Sequence, residues 1–213
     1  MYCDYAILVI LTHPSADHLT GLVEVLNRYE VKQVLYPDLD FKSDIYDEWL
    51  RLLEEKDIKC TIAQAGQQID LGGVVIKVLN PQIPLLTGTE SDIDNNGVVL
   101  SISMGGVSFL LTADIRWEAE FELIARRANL TSTVIKVAHH GSDTSTTPEF
   151  LAVVNPQLAV ISVGEGNPFG HPSDEVMERL EEKLGSENIY RTDEHGTIEF
   201  ITDGERLWVK VER

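Results

Sequence analysis

An apolar run stops abruptly against a histidine and aspartate cluster near the start of the chain, in "YAILVILTHPSADHLTGL", residues 5–22. The run is continuous and rich in β-branched residues, which predicts a buried strand. The residues after the cluster have helical spacing, with Leu19, Leu22, Val23 and Leu26 on one face. A buried strand that feeds an amphipathic helix through so short a turn places that turn at the carboxyl end of a sheet. Ligand sites of α/β sheets gather there. This turn holds two of the chain's six histidines, His13 and His18, with Asp17 beside one of them.

The same arrangement recurs downstream. Five of the six histidines fall in three clusters, His13/His18, His139/His140 and His171, each just past the end of a predicted strand. Asp114, in "FLLTAD", ends another. Imidazole and carboxylate groups converging from several strand ends suit a divalent transition metal. Asp17 and His18 are adjacent, so their side chains are expected to diverge and to address two ions, or one ion and its bound water. His13 lies four residues before Asp17, across a turn fixed by Pro14. Two metal ions bridged by a carboxylate are the usual arrangement for cleaving phosphate esters, amides or thioesters with a metal-bound hydroxide. Asp114 is the candidate bridge.

The remaining pattern alternates helices and strands. "VKQVLYP" predicts a second strand and "SDIYDEWLRLLEEKDI" an amphipathic helix capped by Ser43 or Asp44. "QQIDLGGVVIKVLNP" predicts a hairpin about Gly72-Gly73, and Pro81 to Asn96 a polar loop. "GVVLSIS" and "VSFLLTAD" flank the turn "MGG"; helix "IRWEAEFELIARRA", strand "STVIKVA", helix "TPEFLAVV", strand "QLAVISVG" and helix "SDEVMERLEEKL" follow. Strands "NIYRT", "GTIEFIT" and "RLWVKVE" close the chain. With no tandem repeat, low-complexity segment or linker, the expectation is one domain, 1–213, of sheets covered by helices.

Composition narrows the function classes. The 213 residues suffice for a large core. The net charge of −18 opposes non-specific binding to nucleic acid or anionic membranes. A polyanionic substrate therefore needs a locally positive site, which bound metal ions supply. Cys3 and Cys60 show neither a disulfide framework nor a CxxC zinc spacing. The run "YAILVIL" is too short to cross a bilayer, and the N-terminus carries no signal-peptide pattern. The expectation is a soluble chain of a reducing compartment, without direct membrane insertion.

"LTHPSADHLTGL" resembles the H-x-[H/D]-x-D-H signature of the metallo-β-lactamase superfamily. "NNGVVLSISMGGVSFLLTAD", "VIKVAHHGSDTST", "ISVGEGNPFGHP" and "YRTDEHGTIEFITDG" are similar to later motifs of one branch, the C-terminal metallo-hydrolase domain of ComEC-type competence proteins, the DNA-uptake channels. The resemblance implies an α/β fold, an αββα four-layer sandwich with a metal site at one edge. It implies one or two divalent ions, zinc or manganese, and phosphodiesterase or nuclease action on DNA, with degradation of the non-transported strand. Carried over, His13, Asp17, His18 and Asp114 match metal-ligand positions, and one of His139 and His140 supplies a further ligand. Asp17 would orient or deprotonate the attacking water, and His171 would bind phosphate or protonate the leaving group. Asn96 matches an asparagine of this branch; it and the hydroxyls of Ser142, Thr144 and Ser145 are the candidate substrate contacts.

The sequence departs from the pattern in two places. Ser15 stands where the superfamily has histidine and this branch aspartate, and a neutral hydroxyl is a poor metal ligand. The family's first strands and the membrane helices of an uptake channel are also absent, so the chain reads as a fragment, an excised domain or a degenerate descendant. The sheet edge left open is expected either to pair with a second copy, giving a homodimer, or to be covered by another segment of the chain. Other readings of single residues stay open. Ser15 and Asp17 suit a helix N-terminus, though this explains neither histidine. Asp114 suits an N-cap, His195 a hairpin turn, and Asn95 and Asn96 a shaped loop. Two alternatives to the DNA phosphodiesterase remain: a non-catalytic domain in DNA uptake, and a small-molecule hydrolase such as a lactonase, thioesterase or β-lactamase.

Overall fold

The computed structural model describes residues 5–213, so Cys3 lies outside the described residues. The opening apolar run forms two short strands rather than one. Tyr5–Ala6 (β1) pairs in parallel with Glu30–Val31 (β3), and Val9–Ile10 (β2) with Gln33–Tyr36 (β4). Ile7, between them, is 56% exposed, so apolar character alone overstated the strand's length and burial. β4 also pairs in parallel with Lys59–Ile62 (β5), giving a sheet ordered β2-β4-β5. Ala16–Arg28 (α1) and Asp44–Glu55 (α2) carry the expected apolar faces. Ser43 caps α2 by accepting from the Tyr46 amide. Leu19, Leu26, Trp49 and Leu53 from these helices pack on Val9 and Val34 of the sheet.

The second sheet has seven strands whose spatial order follows the sequence. Gln68–Leu71 (β6), Val74–Asn80 (β7), Val99–Met104 (β8) and Val107–Leu111 (β9) form an antiparallel meander. The β8–β9 turn uses Gly105 at φ 56, where a Cβ would come 2.4 Å from the Gly204 carbonyl oxygen. Val134–Lys136 (β10), Leu158–Ile161 (β11) and Ile189–Arg191 (β12) continue the sheet in parallel from β9. Parallel neighbours require crossovers. Here these include Trp117–Ala125 (α4), Pro148–Val154 (α5) and Asp174–Leu184 (α6), which bury Leu123, Phe150 and Leu180 against Leu110, Ile135 and Ile161.

A third apolar cluster joins Leu35 and Ala63 to Ile76, Val78 and Leu100, between the two sheets. Val34 and Leu35 are consecutive on β4 and enter different clusters, the helix side and the sheet side. That alternation is the period of a strand. The layers are therefore helix, sheet, sheet, helix, the αββα sandwich expected from the motifs. Ile198–Thr202 (β13) and Leu207–Val211 (β14) close the chain as a hairpin. His195 does not sit in that turn. It ends a one-turn helix before the hairpin, and its Nδ1 lies 3.0 Å from the Arg191 carbonyl oxygen. The loop from Pro81 to Asn96 likewise contains a short helix, Asp92–Asn95 (α3). No helix among the described residues is long and apolar enough to cross a membrane.

Candidate metal centre

The carboxyl ends of β2, β9 and β10 bring the conspicuous side chains together. β2 runs out through Leu11 and Thr12 to His13, and the Thr12 carbonyl oxygen accepts from the Val98 amide, which ties this turn to the second sheet. α1 begins immediately after, so Asp17 and His18 lie in its first turn. Asp114 follows β9, and His140 follows β10 in a tight turn over Ala138–Gly141. Asp17, His18, Asp114 and His140 each offer one donor atom, all within 4.8 Å of one another. Ligand bonds of about 2.1 Å in a tetrahedral site imply donor separations of about 3.4 Å, so a small contraction would close these four around one ion.

Adjacent Asp17 and His18 do not diverge as their sequence positions suggested. His18 presents Nε2, the far atom of a long side chain, only 3.6 Å from Asp17 Oδ2. Asp114 Oδ2 stands 3.1 Å from His18 Nε2, 3.2 Å from His140 Nε2 and 3.9 Å from His13 Nε2. One carboxylate oxygen thus faces both the four-donor group and His13, which suits a bridge. Asp114 is not an N-cap, because α4 starts at Trp117 with Arg116 as its cap residue.

The surroundings fix these donors. The Ser162 carbonyl can only accept, so at 2.6 Å from His140 Nδ1 it fixes a proton on Nδ1 and turns Nε2 toward the carboxylates of the centre. Thr12 Oγ1 contacts Nδ1 of both His13, at 3.2 Å, and His18, at 3.3 Å. Lys136 Nζ donates to the Ala113 carbonyl and stands 3.4 Å from Asp114 Oδ1. Backbone strain gathers here too. Ala113, His139, His140 and Thr146 all have φ between 49° and 55°, conformations that cost a non-glycine residue roughly 1–2 kcal/mol each. Gly141 follows at φ 86, where a Cβ would meet Pro172 at 2.5 Å.

The charges are strongly coupled. Hydrogen bonds to Asp114 and Asp17 push His140 up to about 9, while burial pushes His13 down to about 4. The hydrogen bond from His140 holds Asp17 down at about 2. Burial lifts the Asp114 carboxyl, but hydrogen bonds from His140 and His18, with the Lys136 ammonium, outweigh it and keep Asp114 well below the usual carboxylate range. The cluster concentrates negative potential on one point and keeps a proton there. A divalent cation would satisfy the same field, so the residues fit a metal.

The other sequence candidates lie around this group. His139 is not one of the four gathered donors, and its Nδ1 lies 3.3 Å from Thr144 Oγ1. Thr144 in turn contacts Ser142 Oγ at 2.9 Å. Ser145 is fully buried and donates to the Ile115 carbonyl. Asn96 is buried, donating to the Leu86 and Asp92 carbonyls and accepting from the Leu86 amide. These arrangements engage Ser145 and Asn96 in holding the loops behind the site, not in contacting a substrate. His171 shares a pocket of about 290 Å³ with Asp17 and His140. Ser15 starts α1 without a side-chain capping bond.

Sequence reasoning missed Asp94. Its Oδ1 stands 4.0 Å from His13 Nε2, while Arg116 binds its Oδ2 through Nε and Nη2 at 3.0 and 2.9 Å. Only its place two residues before Asn96, in a loop otherwise read as polar, hinted at it.

Comparison with known proteins agrees with this geometry. The model of the metallo-beta-lactamase superfamily matches residues 7–165. The chain is 32% identical over 193 residues to ComE operon protein 3 of Bacillus subtilis, covering 90% of this chain and 24% of that protein. It is 34% identical to Competence protein ComA of Neisseria gonorrhoeae, over 64% of this chain and 19% of that protein. To Recombination protein 2 of Haemophilus influenzae it is 32% identical, over 81% of this chain and 19% of that protein. These are the ComEC-type relatives expected from the motifs, and the chain spans about a quarter or less of their length. Among solved structures, CmlA, a diiron beta-hydroxylase from Streptomyces venezuelae, shares the fold with a TM-score of 0.59 at 14% identity, over 89% of this chain and 44% of that one. The metallo-beta-lactamase fold protein YhfI from Bacillus subtilis does so with a TM-score of 0.55 at 10% identity, over 96% of this chain and 78% of that one. Since the matched span runs from before β2 to beyond the "HHGS" turn, and so takes in all four gathered donors, the chain belongs to the metallo-beta-lactamase superfamily.

Proposed function

We propose that this chain is a metal-dependent phosphodiesterase acting on DNA. The observation that carries the reading is the convergence of Asp17, His18, Asp114 and His140 beside a pocket that also presents His171. Asp17, His18, Asp114 and His140 would hold one divalent ion, zinc or manganese, and His13 with Asp114 and Asp94 would form a weaker flanking position. When bound, the metal polarises the phosphoryl group and activates water. The exposed Asp17 carboxylate orients that water and takes its proton, while Asp114, buried and held ionised by His140, His18 and Lys136, keeps the histidine rings in register. His171, which lines the same pocket, is the candidate to protonate the departing oxygen. The net charge of −18 gives a polyanion little reason to approach any other part of the surface, so binding of DNA should itself require metal. Similarity to competence and recombination proteins favours DNA over a small-molecule substrate, and degradation of the strand that is not taken up is the role we assign.

A panel of bis-p-nitrophenyl phosphate, single-stranded DNA and nitrocefin, assayed in zinc and in manganese, tests this reading. Turnover of the phosphodiesters and not of nitrocefin is expected. Turnover of nitrocefin alone would shift the assignment to a small-molecule hydrolase. A second reading, a non-catalytic domain, is favoured by Ser15, and absence of turnover with all three substrates would support it.

A further inference from the structure

The loop between β11 and α6 carries an aromatic ring that the catalytic reading leaves unused. Phe169 is 77% exposed, the most exposed large apolar side chain among the described residues. One face of its ring stacks on His171, with centroids 5.8 Å apart and planes within 19°. The ring otherwise lies open to solvent and lines the pocket shared by Asp17, His140 and His171. The ring does not stand out by accident of a loose loop. Asn167 clamps the backbone on both sides: its Oδ1 accepts from the amides of Phe169 and His171, and its Nδ2 donates to the carbonyls of His171 and Gly164. A solvent-facing aromatic whose backbone is held beside a proposed hydrolytic centre offers a flat apolar surface to a substrate.

We propose that Phe169 is a base-stacking platform, on which an unpaired nucleobase next to the scissile phosphodiester lies while the phosphodiester sits in the adjoining pocket beside Asp17, His140 and His171. The proposal rests on the phosphodiesterase reading and adds what selects the substrate. Every base has a π-face, so such a platform favours single strands over duplex without reading sequence. It also supplies affinity that does not depend on charge, which matters on a surface of net charge −18 where counterion release contributes little.

The test is steady-state cleavage, in manganese, of a short oligothymidylate and of the same oligomer with tetrahydrofuran abasic sites throughout. The unaltered protein, Phe169→Ala and Phe169→Trp are compared. Stacking on one aromatic predicts that Phe169→Ala lowers the thymidine-to-abasic ratio of kcat/KM about 5- to 150-fold, carried by KM, and that Phe169→Trp restores it. An unchanged ratio in Phe169→Ala, or equal losses on both oligomers, would overturn the proposal, because the ring would then serve only the His171 loop. Failure of the unaltered protein to cleave either oligomer would overturn the phosphodiesterase reading first, and this inference with it.

Discussion

The Nε2 atoms of His18 and His140 lie 3.3 Å apart although 122 residues separate them in the chain. Two imidazole lone pairs do not face each other at that distance without a cation or a proton between them. His18 belongs to the first helix and His140 to the turn after β10, so an ion held there fastens the N-terminal layer to the large sheet. Free metal at a hundred times its Kd should stabilise the fold by about 2.7 kcal/mol. For a chain of this size that raises Tm by roughly 5–10 °C. Calorimetry with and without EDTA measures the shift, and an identical midpoint in both would contradict a metal at this position.

Lys136 acts on the centre through Asp114. Its ammonium stands 3.4 Å from Asp114 Oδ1 and donates to the Ala113 carbonyl behind it. Burial lowers its pKa while Asp114 opposes that shift. Lys136→Met should leave Asp114 poorly oriented and weaken metal binding about 10- to 100-fold. Competition with a chelator of known affinity reads this directly, and unchanged affinity would remove Lys136 from the account.

Ser15 sets the expected stoichiometry. With a neutral hydroxyl beside His13, the flanking position has fewer strong donors than the four-residue group. About one ion per chain is therefore expected, and Ser15→Asp should raise the content toward two and increase phosphodiesterase activity. Two equally tight sites in the unaltered protein, seen by titration calorimetry, would show that Asp94 already compensates for Ser15.

Glu120 gives a pH dependence away from the metal ligands. Burial raises its pKa from 4.5 to about 7, although the Thr146 and Thr147 amides donate to its carboxylate. The folded chain therefore retains a proton that the unfolded chain releases between these two values. This contribution is fully present below pH 4.5 and is lost as pH rises through 7, at most roughly 3 kcal/mol. Glu120→Gln should flatten stability between pH 5 and 7, measured by urea unfolding in chelator. A mutant with the same slope would assign that slope to other groups.

The layered fold and the converging strand ends were legible because they rest on local patterns: strand and helix periods, and histidines placed at strand ends. What escaped the sequence depends on tertiary placement. Asp94 joins His13 only because Arg116 and a loop fold it inward. Motif position made Ser145 and Asn96 substrate contacts, yet both are buried and hydrogen-bonded within the scaffold. His140, and not His139, joins the four-donor group in a turn of consecutive left-handed residues, which no hydrophobic periodicity announces. The break at Ile7 in the first apolar run is a tertiary override of an apparently continuous strand.

β2 lies at the end of its sheet's order, with β4 as its one partner among the described residues. We propose that this edge, flanked by exposed Tyr5 and Ile7, pairs with a second copy of the chain. Light scattering across a concentration series should show a mass rising toward a dimer. Ile7→Lys should shift the transition to higher concentration, and a constant monomer mass at every concentration would dismiss the interface.

The most direct test is elemental analysis of the untagged protein and of Asp114→Ala and His140→Ala, by plasma mass spectrometry after equilibration with zinc and with manganese. The four-donor centre predicts about one bound ion in the unaltered chain, with most of it lost in each variant while the far-ultraviolet circular dichroism is retained. No bound ion in the unaltered protein, or undiminished metal in both variants, would contradict it.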